Sequence, residues 1–153
     1  MCAHHSDRKP NVIASVLQTK CPRCRRGQMY KHSNPYNLKT YMQMNETCNV
    51  CGQPFDIEVG FYYGTSYVSY AISIAICVAT FIAWWVFIGF SLNDNRIFWW
   101  LGANAFILLL VQPWLMRVSR TIWLSFFVRY SKDWNKGDIM VPERTNEAHM
   151  GNW

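Results

Sequence analysis

The sequence predicts a membrane protein in which a small cysteine-rich β module is followed by a hairpin of two transmembrane helices and a basic amphipathic helix. The first observation behind this fold class is the placement of charge. No Asp, Glu, Lys or Arg occurs in residues 59–93 or 97–116. Because a helix needs about 20 apolar residues to cross a bilayer, each run is long enough for one span. We therefore place a hairpin at 59–116, with spans near 64–90 and 97–116.

The second observation is a pair of CxxC motifs ahead of the hairpin, formed by Cys21, Cys24, Cys48 and Cys51. A CxxC turn lets two thiolates converge on one ion, and two such pairs at this separation are the ligand spacing of a structural zinc ribbon. We place the ribbon at 20–58, with short strands at 28–32 and 53–58. Four thiolates close a tetrahedral sphere and leave no position for a substrate. Zinc is the predicted ion and iron the second candidate. The alternative without metal is two pairs of free or disulfide-bonded cysteines.

The third observation is the distribution of the fifteen Lys and Arg residues. Eight precede Phe61, six follow Met116, and Arg96 alone lies between the two charge-free runs. Basic residues are held on the cytoplasmic side of short membrane loops. We therefore expect both termini in the cytoplasm, where thiols stay reduced and available for metal. The first twenty residues lack an apolar core, so no cleavable signal peptide is expected.

Small and polar residues in the spans predict contacts between membrane helices. Small side chains at helical spacing allow close approach, and an amide facing lipid is costly. The residues expected to pack against a partner helix are Gly60, Gly64, Ser66, Ser69, Ser73, Asn104 and Gln112.

The segments on either side of the ribbon and hairpin carry weaker signals. Residues 1–19 are a polar start with a short amphipathic helix between Asn11 and Thr19, and 135–153 are a polar tail. Residues 117–134 combine an aromatic and a basic side, which is typical of a helix in the headgroup plane; continuation of the second span stays open. The basic residues expected to contact lipid headgroups are Arg23, Arg25, Arg26, Arg117, Arg120, Arg129 and Lys132. A role for Cys2, His4 and His5 is left open.

These motifs together resemble a bacterial membrane family, the domain-of-unknown-function 983 family. The resemblance rests on CPRCRRG, CNVCG, the GFYYG…YVSY entry to the first span and the two-helix hairpin, and it covers roughly Lys20 to Lys132. It implies a small protein of the bacterial inner membrane with an N-terminal zinc ribbon. Some relatives are encoded among genes for haem-copper oxidase assembly, which is an association and defines no activity.

Three functional hypotheses follow. The first is a non-enzymatic accessory or assembly subunit that docks on a larger membrane complex, or on itself, through the ribbon and the hairpin. The second is a thiol-redox or metal-transfer chaperone, which needs accessible sulfurs of lowered pKa. The third, binding of nucleic acid through the basic knuckle, is less favoured because the same cations suit anionic lipid. An enzyme is not expected, since the spans hold no Asp, Glu, His, Lys or Arg for proton or ion transport and no phosphate-binding loop or hydrolase elbow occurs.

Overall fold

The computed structural model describes residues 10–58, 60–89, 95–135 and 139. Its elements are helix α1 (Val12–Leu17), a 3-10 turn (Phe61–Gly64), helix α2 (Thr65–Ile88) and helix α3 (Arg96–Phe127). The questions about Cys2, His4 and His5, and nearly all of the predicted tail, lie outside the described residues.

Helices α2 and α3 form the predicted hairpin. Both are long and apolar enough to cross a membrane, and α2 closely follows the predicted first span. The two helices pack along each other, and polar contacts join them at Asn104. Its Nδ2 donates to the sulfur of Cys77 at 3.2 Å, and its Oδ1 accepts from the hydroxyl of Thr80 at 3.0 Å. The expected partner helix of Asn104 is therefore α2 of the same chain.

Helix α3 continues well beyond the predicted end of the second span. Its 32 residues extend about 48 Å at roughly 1.5 Å per residue, while the hydrocarbon core is about 30 Å thick. Of the two possibilities for residues 117–134, continuation is therefore correct as far as Phe127, and the helix in the headgroup plane is not formed there. The extension buries Val118 and Leu124, and Leu115 is buried just before it. It is a protein-contacting end of α3.

The cysteine module packs against this extension, but the predicted strands are not formed. In the described residues its β pairing consists of isolated bridges, among them those of Lys20 with Gln28, Tyr30 with Met44, and Thr47 with Pro54. The reason is packing, because the segments are organised around a central cluster and not along a ladder. That cluster contains the four cysteines, Met29, Tyr30, Met44 and Phe55, together with Leu124 and Val128 from the end of α3.

Candidate metal centre

The structure brings the four predicted ligands together. The sulfur atoms of Cys21, Cys24, Cys48 and Cys51 all lie within 4.8 Å of one another. The Cys21–Cys51 and Cys24–Cys48 sulfur pairs are each 3.7 Å apart, which is far longer than a disulfide bond, and all four cysteines are free thiols. Their exposed fractions range from 0% to 9%. Four converging sulfurs shielded from solvent can hold a metal ion.

The two CxxC turns have the same backbone design. In the first, the amide of Arg25 donates to the carbonyl of Cys21 at 2.7 Å; in the second, the amide of Gly52 donates to the carbonyl of Cys48 at 2.8 Å. The residue after each pair adopts a left-handed conformation, with φ of 56° at Arg25 and 70° at Gly52. Glycine adopts this conformation without steric cost, whereas a residue with a Cβ pays about 1 kcal/mol. The first turn therefore holds Arg25 under backbone strain.

A glycine is required where the two turns meet. The carbonyl of Gly27 accepts from the amide of Cys21 at 2.8 Å, which closes the first turn. A Cβ at Gly27 would overlap the sulfur of Cys48, and it would also crowd the side chain of Asn49. The absence of a side chain at this position is what lets the second cysteine pair approach the first.

The clustered sulfurs change one another's proton affinity. Hydrogen bonds from the thiols of Cys21 and Cys48 lower the pKa of Cys24 far below its usual range. The hydrogen bond between Cys21 and Cys24 raises the pKa of Cys21. Burial is the main cause that raises the pKa of Cys51 to about 12. Because a metal binds thiolates, its binding at this site must displace protons from the cysteines.

Arg117 joins the module to the membrane hairpin. Its Nε donates to the carbonyl of Tyr41 at 2.7 Å, and its Nη atoms donate to the carbonyls of His32, Ser33 and Asn34 at 3.0–3.2 Å. Its guanidinium also lies 4.6 Å from the ring centroid of Tyr30. A single side chain of α3 thus binds one loop of the module through four backbone acceptors.

The prediction of headgroup contact is therefore wrong for Arg117, which is 2% exposed, and for Arg23, which is 4% exposed. Five carbonyl and aromatic contacts surround Arg117, because the loop that follows Tyr30 folds over the first turn of α3 outside the charge-free run. No local pattern in the sequence marks this arrangement. Arg129 and Lys132 are exposed, and their contact with lipid stays a prediction.

The other arginines that were predicted to contact headgroups, Arg25, Arg26 and Arg120, place their guanidinium groups over aromatic rings. Arg25 lies 4.1 Å from the ring centroid of Tyr130, and Arg26 lies 5.4 Å from that of Trp134. The amide of Ser131 donates to the carbonyl of Arg23 at 3.2 Å. The chain that leaves α3 therefore returns across the first cysteine turn and helps to bury it. Arg120 makes a similar contact with Tyr62, at 5.1 Å, next to the start of α2.

The predicted helix-packing residues have different outcomes. Gly64 packs under the indole of Trp123, which leaves no room for a Cβ, and the Trp123 Nε1 donates to the Phe61 carbonyl at 2.8 Å. Gly60 precedes the 3-10 turn in a left-handed conformation with φ of 79°, so it is a turn residue and not a helix-packing residue.

Of the three serines and Gln112, two lie on the side of α2 that faces α3 and two do not. Ser69 and Ser73 are half-buried and share a face with Cys77 by their spacing, which is the side of α2 that faces α3. Ser66 and Gln112 are exposed, so neither packs between α2 and α3. All three serine hydroxyls donate to carbonyls of the preceding helical turn.

Fold and site together define a hairpin of two helices that are long and apolar enough to cross a membrane, joined to a module whose four buried cysteines can hold a metal ion. The family model described as protein of unknown function, DUF983, matches residues 38–127, which is more than half of the chain. The protein therefore belongs to the DUF983 family. The match includes the second cysteine pair and the hairpin and begins after the first pair. Comparison with curated proteins and with solved structures gave no match.

Proposed function

We propose that this protein is a non-enzymatic accessory or assembly subunit of a larger complex in the bacterial inner membrane. It docks through a cytoplasmic zinc module and through its helix hairpin. The observation that carries the proposal is the burial of the four sulfurs in a module fixed to α3. A metal held in this way stabilises a docking surface and has no coordination position open to a substrate.

Zinc is the metal we assign to the site. With zinc–sulfur bonds of about 2.3 Å, a tetrahedron has sulfur–sulfur edges of about 3.8 Å. The 3.7 Å separations of two of the sulfur pairs agree with that edge. An all-sulfur site also suits iron, which remains the second candidate.

The metal-transfer and thiol-redox alternative needs sulfurs that a partner can reach. The four cysteines are at most 9% exposed, and the segment that contains Tyr130 and Trp134 covers the first turn. The low pKa of Cys24 would suit a reactive thiolate, but a reactive thiolate without access cannot exchange metal or disulfides rapidly. The geometry therefore favours the structural role.

The orientation in the proposal rests on charge and on packing. The module precedes α2, and it contacts the far end of α3 through Arg117 and Leu124. Both ends of the hairpin are thus on one side of the membrane. The concentration of Lys and Arg at those ends supports the cytoplasmic side.

A face of α2 suits a further membrane helix. Ala71, Ala75, Ala79 and Ala83 recur every fourth residue, and all four are exposed on the side of α2 away from α3. Small residues at this spacing permit close helix packing in lipid. We assign this face to a partner subunit or to a second copy of the chain.

The test is the size of the assembly that contains the full chain in its native membrane. After mild detergent extraction and native electrophoresis, the wild-type chain should migrate well above its own 18.0 kDa plus detergent. Ala75→Leu with Ala79→Leu should release it, because two added side chains block close packing on α2. The matched control is Ala103→Leu with Ala105→Leu, which adds the same bulk to exposed positions of α3 and should leave the assembly intact.

Mass measurement of the isolated assembly distinguishes a larger complex from self-association. A wild-type chain that migrates only as a monomer in several mild detergents contradicts the proposal. So does an assembly that both double variants leave unchanged, since the helix face then has no part in it.

A further inference from the structure

A cavity of about 290 Å³ lies between the end of α1, the first cysteine turn and α3. Gln18, Lys20 and Gln28 line it from the module, and Trp114 and Arg117 line it from α3. The indole Nε1 of Trp114 donates to the carbonyl of Leu17 at 3.3 Å, which holds α1 against α3 at the cavity's edge. The cavity thus has amide, ammonium and guanidinium groups on its walls.

The charge of the cavity is positive. In the part of the chain that the structure describes, its charged lining residues are Lys20 and Arg117, and no carboxylate lines it. Among the described residues, the hydrogen bonds of Arg117 end on backbone carbonyls, which are neutral acceptors and do not neutralise its positive charge. A buried cation without a carboxylate partner favours an anion in the space beside it.

The depth of the cavity in the membrane identifies the class of anion. Arg117 is the first charged residue after the charge-free run 97–116, so it lies where the hydrocarbon core ends. Trp114 lies one turn earlier, at the level where indoles concentrate. Ile107, Leu110 and Trp114 follow one another at spacings of three and four residues, and the first two are 39% and 52% exposed. An apolar stripe on α3 therefore leads from the membrane interior to the cavity.

We propose that this cavity binds the phosphate group of an anionic ligand. An anionic phospholipid fits both parts of the surface, with its phosphate contacting Lys20 and an acyl chain along Ile107 and Leu110; the buried Arg117, whose nitrogens donate to module carbonyls, contributes only its positive charge. Free inorganic phosphate is the other source of the same chemistry. The inference needs no partner protein and stands apart from the docking role proposed above.

The test compares lipid binding by the full chain in a neutral detergent, followed by native mass spectrometry. The probes are phosphatidylglycerol and phosphatidylcholine, and the variant is Lys20→Gln. Loss of one cation near the headgroups should weaken phosphatidylglycerol binding about fivefold. Lys39→Gln is the matched control, because Lys39 is exposed and does not line the cavity, and it should bind the lipid as the wild type does.

Excess inorganic phosphate identifies the source of the anion. A lipid site keeps its phosphatidylglycerol in excess phosphate, whereas a site for free phosphate gives it up; both results support the proposal, provided that Lys20→Gln weakens the binding of phosphatidylglycerol. Metal content and unfolding temperature of Lys20→Gln establish that it is folded. The proposal is overturned if folded Lys20→Gln binds both probes as the wild type does, or if Lys39→Gln weakens binding equally.

Discussion

Replacement of Arg117 tests how the metal module is held on the hairpin. Arg117→Gln removes a guanidinium that donates to four backbone carbonyls. Each hydrogen bond from a charged donor contributes about 1.5–3 kcal/mol. His32, Ser33 and Asn34 are exposed, and water can replace most of their bonds. We therefore count two lost bonds, the one to the half-buried Tyr41 and one of the other three. Their loss should weaken docking of the module by about 3–6 kcal/mol.

The assay is release of metal from the full chain in detergent to a chromogenic chelator. A loss of 3 kcal/mol corresponds to an increase of roughly 160-fold in the fraction of undocked module, and the release rate should rise accordingly. Arg117→Lys keeps the charge but lacks the planar fork, so it should also release metal faster. Arg129→Gln, an exposed change in the next segment, is the control. Release at the wild-type rate from both Arg117 variants would refute the docking role, as expected if Arg117 only contacted headgroups.

Three further outcomes are expected. Gly27→Ala should lower the metal content of the purified chain, because its Cβ would overlap a ligand sulfur, whereas Gly102→Ala, which meets nothing within 4 Å, should keep full content. Asn104→Leu should destabilise the hairpin in thermal unfolding by about 0.6 kcal/mol for each interhelical hydrogen bond that is lost. Gln112→Leu, at an exposed position of the same helix, should not destabilise it. Equal effects of the two substitutions would contradict the contact between α2 and α3. Metal affinity, measured by competition with a chelator, should fall as pH falls, because Cys51 with a pKa of about 12 is protonated before metal binds. The expected change is about tenfold per pH unit for each thiol proton that the metal displaces. A flat profile between pH 6 and 8 would contradict thiolate ligation.

The ligands and the hairpin could be predicted because each is a local pattern. The spacing of Cys21, Cys24, Cys48 and Cys51 is sufficient to indicate a shared ion, and the structure places their sulfurs within 4.8 Å. The charge-free runs indicate where helices can cross a membrane, and α2 follows the first of them closely. In both cases the chemistry of neighbouring residues determines the outcome.

The docking of the module could not be predicted because it depends on contacts between distant residues. Arg117 binds carbonyls that lie 76 to 85 residues earlier in the chain. An arginine directly after an apolar span has the same local pattern whether it faces headgroups or a protein loop. The expected strands were wrong for a related reason, since Met29, Tyr30 and Phe55 pack into a cluster with the end of α3 and not along paired strands.

X-ray absorption at the metal edge, together with elemental analysis of the purified full chain, determines whether the four cysteine sulfurs bind one ion. We expect one ion per chain, four sulfur ligands at about 2.3 Å and no nitrogen or oxygen bound to the ion. The element observed distinguishes zinc from iron. Metal well below one ion per chain in freshly isolated protein, a ligand shell that includes nitrogen or oxygen, or cysteines recovered as disulfides would contradict the claim that these four sulfurs hold the module together.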